Sequence, residues 1–148
     1  MEPGTALVAL AAALLVATAV GVLVRRRDGR VGAVRGDDPV APSTLGLDAA
    51  TAGFGERATL VQFSTEYCAR CPATRRVLRE VATARPGVAH VDVDLTHRPD
   101  VARRFGVLQT PTTLVLDGDR IARARIGGAP RSEDVVRELD RILEDSRV

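Results

Sequence analysis

Both cysteines of the sequence sit together, two residues apart, in Cys68-Ala69-Arg70-Cys71. Thiols at that spacing can close a small-loop disulfide and reopen it by exchange with another thiol. A short apolar run, Ala58 to Phe63, precedes the pair, and a helical pattern, Ala73 to Ala84, follows it. The pair therefore falls at a helix start. There the Cys68 sulfur would face unpartnered amides and the positive end of the helix dipole, which favours thiolate and lowers its pKa below ~8.5. Cys71, one turn in, would be more buried and placed to attack a mixed disulfide at Cys68. Pro72 falls in the first turn, where a missing amide donor costs little. Arg70 adds a fixed positive charge beside the sulfurs. Two blander readings compete. Zinc needs four ligands, and only His90 and His97 remain as partners, at no finger-like spacing. Two inert buried thiols would not need a shared turn. All 21 basic residues are Arg, so no Lys amine offers Schiff-base chemistry.

The elements that must position this pair are legible from pattern. Ala58 to Phe63 suits a buried strand. Val77, Leu78, Val81 and Ala82 recur at helical spacing, and Pro86-Gly87 stops that helix. Val91, Val93 and Leu95 alternate with His90, Asp92 and Asp94, which reads as a strand over 88–95. Pro99 opens a short helix, Asp100 to Phe105, closed by Gly106. Thr112 to Leu116 is a strand, Asp117-Gly118 a hairpin turn, and Arg120 to Ile126 the return strand. Ser132 can cap a last helix whose stripe is Val135, Val136, Leu139, Ile142 and Leu143. The order β-α-β-α-β-β-α, with a right-handed parallel βαβ unit first, predicts an α/β domain: a central mixed sheet flanked by helices.

Three unlike segments share the 148 residues. Thr5 to Val24 holds 20 residues without a charge, enough at ~1.5 Å each to cross a bilayer core of ~30 Å. The expectation is an N-terminal transmembrane anchor with its Arg flank over residues 1–27. A cleavable signal ending near Ala17-Thr18-Ala19 is the alternative, and the n-region Met1-Glu2-Pro3-Gly4 lacks the charge it wants. Residues 25–36 carry five Arg against Asp28, and the N-terminal flank has only Glu2. Positive-inside asymmetry thus places the rest of a single-pass protein in the cytoplasm. Asp28 to Thr44, rich in Gly, Asp and Pro, reads as a flexible linker. Residues 45–148 form the folded domain. Beyond residue 36 there are 16 Arg against 17 acids, so the net charge of +2 belongs to the membrane flank and gives no reason to expect nucleic acid. A 45% apolar and 27% charged chain is neither mainly disordered nor a multi-span protein.

From about Thr59 to the C-terminus the chain resembles the thioredoxin-like superfamily. The resemblance rests on Val61-Gln62-Phe63-Ser64-Thr65-Glu66-Tyr67-Cys68-Ala69-Arg70-Cys71 and on Thr110-Pro111-Thr112-Thr113-Leu114 after Gly106-Val107. It implies a thioredoxin-like fold and a cis peptide at Pro111. It also implies a substrate groove along Tyr67, Thr110, Pro111 and Gly127. An ordinary trans Pro111 and a plain turn at Gly127 are the alternatives. Three departures stand out: Tyr67 replaces the usual tryptophan, Ala69-Arg70 the usual Gly-Pro, and Gln62 the buried acid held to accept a proton from the second cysteine. His90 corresponds to the lysine that commonly pairs with that acid. It either assists Cys71, directly or through water, or is a satisfied strand histidine. Arg70, Gln62 and His90 are thus the expected tuners of the cysteine pKa values. The resemblance implies a thiol-disulfide oxidoreductase acting on protein thiols and disulfides, and the apolar span makes it membrane-tethered. It implies no metal and no organic cofactor beyond the Cys68–Cys71 pair, and an unidentified electron donor or membrane redox partner. Alternatives are an extracytoplasmic TlpA-like reductase for cytochrome c assembly and a non-catalytic binding module.

Overall fold

The computed structural model describes residues 3–27, 29–34, 36, 38–49 and 52–145. It opens with helix α1, Pro3–Arg27. Alanine and leucine favour a helix, and Pro3 stands at its start, where no amide partner is lost. Thr18 Oγ1 donates to the Leu14 carbonyl at 2.8 Å, so the polar hydroxyl is satisfied within the helix. The stretch Gly4–Leu23 has a mean hydropathy of 2.6 and buries nothing against the rest of the chain. This helix is long and apolar enough to cross a membrane.

The remaining elements are β1 (Val31–Ala33), a 3-10 turn (Pro42–Leu45), β2 (Ala58–Ser64), α2 (Cys71–Thr83), β3 (Val88–Asp94), α3 (Pro99–Arg104), β4 (Thr112–Asp117), β5 (Ala122–Gly127) and α4 (Ser132–Asp145). One five-stranded mixed sheet runs β1-β5-β4-β2-β3. β2 pairs parallel with β3 and antiparallel with β4, so the expected βαβ unit and hairpin both form. β2 is an inner strand, and all seven of its residues are buried. Its alternation splits the core. Ala58 and Leu60 pack with Leu78, Val81, Val135, Leu139 and Ile142 beneath α2 and α4. Val61 and Phe63 pack on the other face with Leu45, Val93, Val101 and Leu114.

Two expectations are corrected. The return strand begins at Ala122, not Arg120. The turn spends more residues because Asp117 accepts from the Ile121 amide through its side chain and from the Arg120 amide through its carbonyl, with Arg120 at φ 66°. The segment 28–44 is not a free tether over its described part. Val31↔Ile126, Gly32↔Arg125 and Ala33↔Ala124 pair antiparallel, which makes β1 the outer strand of the sheet. Gly29 donates to the Gly127 carbonyl at 2.7 Å, Val34 to Arg123 at 2.9 Å, and Val40 to Arg120 at 2.9 Å. Composition argued against order, but an open strand edge supplied the backbone partners that a linker lacks. Residues 28, 35 and 37 lie outside the described set.

Gly29 is what lets the strand begin where it does. Its φ is 76°, and a Cβ there would stand 2.5 Å from the Ala129 carbonyl oxygen. Gly29→Val should cost about 1–3 kcal/mol. The expected readout is a lowered denaturation midpoint and faster amide exchange at Val34 and Gly36. An unchanged midpoint with unprotected amides in the parent chain would restore the free tether.

Candidate active site

β2 ends at Ser64, and the chain turns through Thr65, Glu66 and Tyr67 into Cys68. The Cys68 amide donates to the Thr65 carbonyl at 3.2 Å and the Cys71 amide to the Cys68 carbonyl at 3.1 Å. This tight turn delivers Cys71 as the first residue of α2, with Arg70 as the residue capping it. The helix thus starts two residues before the expected Ala73, because Pro72 fits its first turn. Cys71 is therefore at the helix start rather than one turn in. Cys68 and Cys71 are joined as a disulfide, with Cα atoms 5.4 Å apart. Cys71 is only 2% exposed, whereas Cys68 is partly open to solvent. The asymmetry suits one sulfur for attack from outside and one for attack from within.

The opposite wall comes from the start of β4. The Thr110–Pro111 peptide is cis. Thr110 Oγ1 lies 3.3 Å from Thr65 Oγ1, which ties this wall to the cysteine turn. The Pro111 carbonyl accepts from the Gly128 amide at 2.8 Å, and Thr112 Oγ1 donates to the Gln109 carbonyl at 2.8 Å. Arg125 donates to the carbonyls of Phe105 and Gly106 at 2.7 and 2.8 Å, fixing the loop that leads into this wall. Gly127 pairs with Thr112, and a Cβ on it would stand 3.0 Å from Gln109 Nε2. Tyr67 and Leu108 project from this end of the sheet, 84% and 97% exposed. The Glu66 carboxylate beside the Tyr67 hydroxyl holds its pKa above the ordinary range. Leu108 was not singled out from the sequence; no periodicity marks an apolar residue that a loop leaves in water.

Beneath the disulfide, Gln62 is wholly buried. Its Nε2 donates to the Cys71 carbonyl at 3.1 Å, and its Oε1 lies 3.2 Å from His90 Nε2. The carbonyl can only accept, so Gln62 must turn its NH2 there and its oxygen to His90. His90 Nε2 therefore carries the hydrogen in this arrangement. The sequence-predicted trio Cys71, Gln62 and His90 is thus brought together, with the amide interposed. The connection reaches the backbone of Cys71. His90 shares a cavity of about 550 Å³ with Arg75, Arg79 and Asp92. Burial pushes the His90 pKa down, Asp92 raises it, and Arg79 and Arg75 lower it further. Asp92 is itself held by Arg75, on α2, and by Ser64 Oγ at 2.6 Å. The partnership of Ser64, Arg75 and Asp92 was not foreseen: Ser64 and Arg75 lie four residues from the nearer cysteine, and Asp92 comes from β3. Arg70 lies exposed beside the pair, and His97 is exposed in the loop after β3. Among the described residues no group of His, Cys, Asp and Glu is arranged to hold a metal ion.

A reversible dithiol at a helix start, facing a cis-proline on a mixed sheet, defines a thiol-disulfide oxidoreductase of the thioredoxin fold. The thioredoxin family model matches residues 51–141, and the chain belongs to that family. It is 32% identical to a thioredoxin of Methanocaldococcus jannaschii over 82 residues, covering 55% of this chain and 91% of the relative. It is 32% identical to a thioredoxin of Mycolicibacterium smegmatis over 110 residues, covering 72% and 90%. The solved structure of a malaria parasite thioredoxin-2 superposes with a TM-score of 0.53 at 20% identity, over 57% of this chain and 82% of that one. Spinach chloroplast thioredoxin f gives 0.52 at 17% identity, over 60% and 78%. These two likenesses establish the fold. The family implies protein thiols and disulfides as substrates.

Two outcomes follow from the buried amide. Gln62→Ala leaves the Cys71 carbonyl and His90 without their partner, at a cost of about 1–3 kcal/mol by chemical denaturation. The His90 pKa is lowered in the fold, so the unfolded chain binds its proton first. Its contribution to stability is whole above about pH 6.5 and is lost as pH falls from there toward the folded value. His90→Gln should flatten stability against pH in that window; an unchanged slope would refute this assignment.

Proposed function

We propose that the protein is a membrane-tethered thiol-disulfide oxidoreductase whose domain lies in the cytoplasm, where the pair works as a reductase. The Cys68–Cys71 disulfide at the start of α2, beside Thr110–Pro111, carries this reading. In the reduced protein, the Cys68 thiolate attacks one sulfur of a substrate disulfide. A Cys68–substrate bond forms, and the other substrate sulfur leaves as thiolate. Cys71, deprotonated, then attacks the Cys68 sulfur and releases the second substrate thiolate. The substrate gains two electrons, and Cys68–Cys71 is oxidised. A dithiol donor restores the pair by the reverse exchange.

On this reading the side chains divide the work. The helix dipole of α2 and the Arg70 charge stabilise the Cys68 thiolate, which makes the pair a stronger oxidant than thioredoxin itself. Tyr67, Thr110, Pro111 and Gly127 line the groove for extended substrate chain. Gln62 and His90 are positioning residues, since they act on Cys71 through its carbonyl. Residues 5–24 anchor the protein, with the Arg flank on the cytoplasmic side. An extracytoplasmic, TlpA-like placement is the second reading; Arg25, Arg26 and Arg27 directly after the span count against it.

Turnover of a protein disulfide with a dithiol donor should vanish in Cys68→Ser. In Cys71→Ser a mixed disulfide with substrate should accumulate, visible as a mass adduct that a reductant releases. Partner binding that survives Cys68→Ser and Cys71→Ser together, with no turnover in the parent chain, would leave a binding module. Labelling of Cys68 in reduced intact cells with an impermeant thiol reagent should await lysis; immediate labelling would place the domain outside. A potential at or below that of thioredoxin, measured alongside, would remove the role given to Arg70.

A further inference from the structure

We propose that the chain holds the catalytic end of its sheet toward the membrane surface, so that its substrates are disulfides borne by membrane-anchored proteins close to the lipid headgroups. This rests on reading Thr5–Val24 as a retained span.

Chain length and strand register together limit how the domain can sit. The apolar stretch ends at Leu23, helix α1 continues to Arg27, and Gly29 is already docked on the sheet. Only Asp28 stands between. Four helical residues add ~6 Å, and residues 28 and 29 add at most ~7 Å. Gly29 is thus within ~13 Å of the hydrocarbon edge, of which the headgroup layer takes ~5–8 Å. A 17-residue free tether over 28–44 would have allowed up to ~60 Å and any orientation.

The point where the chain docks decides which end faces the bilayer. β1 is antiparallel to β5, so its first residues lie beside the last residues of β5. Gly29 donates to Gly127, the glycine at the rim of the groove. Gly127 pairs with Thr112, next to Pro111, and Thr112 pairs with Phe63, near the end of the strand that delivers Cys68. Three strand spacings of ~4.8 Å therefore separate Gly29 from that strand. The opposite end of the sheet carries the β4–β5 turn with Asp119 exposed. Entry there would have pointed the disulfide away from the membrane.

The rim on the near side fits a protein partner. Tyr67 and Leu108 project there almost fully exposed, beside Cys68 and Thr110. Large apolar side chains flanking a reactive disulfide gain by covering an extended segment of substrate, and the short anchor limits which segments come within reach.

The test uses the full chain in liposomes of phosphatidylcholine and phosphatidylglycerol. A fluorophore is placed at Leu108→Cys or at Asp119→Cys, each with Cys68→Ser and Cys71→Ser, and a headgroup quencher is added. Stronger quenching at position 108 is expected; equal or reversed quenching overturns the orientation. A chain that alkaline carbonate strips from the vesicles overturns the span itself, whereas a retained chain quenched at neither site overturns only the orientation. A second measurement inserts 20 Gly/Ser residues after Arg27 in the catalytic protein. Its rate toward a disulfide adjacent to a membrane span should fall roughly tenfold relative to its unchanged rate toward a soluble protein disulfide. An unaltered ratio despite quenching at 108 means that the rim rests on lipid, and it overturns the substrate assignment.

Discussion

Strand β2 has neither a free face nor a free edge. Every one of its residues is buried, and both its sides are taken by β3 and β4. Whatever stands on it must be satisfied from within the protein. That constraint fixes the rest. Apolar residues on one face recruit α2 and α4, and those on the other recruit α3 and the segment around Leu45. The one large polar side chain on the strand, Gln62, must find partners near its own position. It finds the Cys71 carbonyl on one side and His90 on the other. The start of the cysteine helix is held to the sheet by that amide, so the reactive turn inherits the rigidity of a fully buried inner strand.

The catalytic half of the fold was legible because it is built from local signals. Buried strand, Cys-x-x-Cys turn, helix stripe and Pro111 each mark themselves within a few residues, and the parallel crossover then leaves little choice of topology. Gln62 and His90 were legible only as departures from a family pattern; the hydrogen bonds that join them depend on the parallel register Leu60↔His90. Asp92, Arg75 and Ser64 form around the same register. Such contacts cross long stretches of sequence and leave no periodicity behind.

The N-terminal strand failed to announce itself for a related reason. Val31-Gly32-Ala33 is too short and too plain to read as a strand, and Gly, Asp and Pro around it match a linker. Its order comes from β5, whose outer edge would otherwise carry unpaired backbone groups. Gly29 serves a close approach to the residues after β5, so a glycine that reads as linker composition belongs to an ordered segment. Composition reports what a segment can do alone. It is blind to an edge that waits for it.

The amide at position 62 also separates two tasks that a buried acid would combine. A carboxylate there could orient the cysteine helix and take a proton; an amide orients and cannot titrate. With its NH2 committed to Cys71 and its oxygen to His90, Gln62 leaves the histidine donating through Nε2. The lone pair of the neutral ring is then on Nδ1, turned from the amide. Burial favours that neutral ring, Asp92 pulls the other way, and the charges of Arg79 and Arg75 add to the effect of burial. The trio therefore holds the start of α2 to the sheet through an amide that cannot itself take a proton. On the proposed mechanism, Gln62 takes no proton from Cys71, and what this trio gives the resolving sulfur is position.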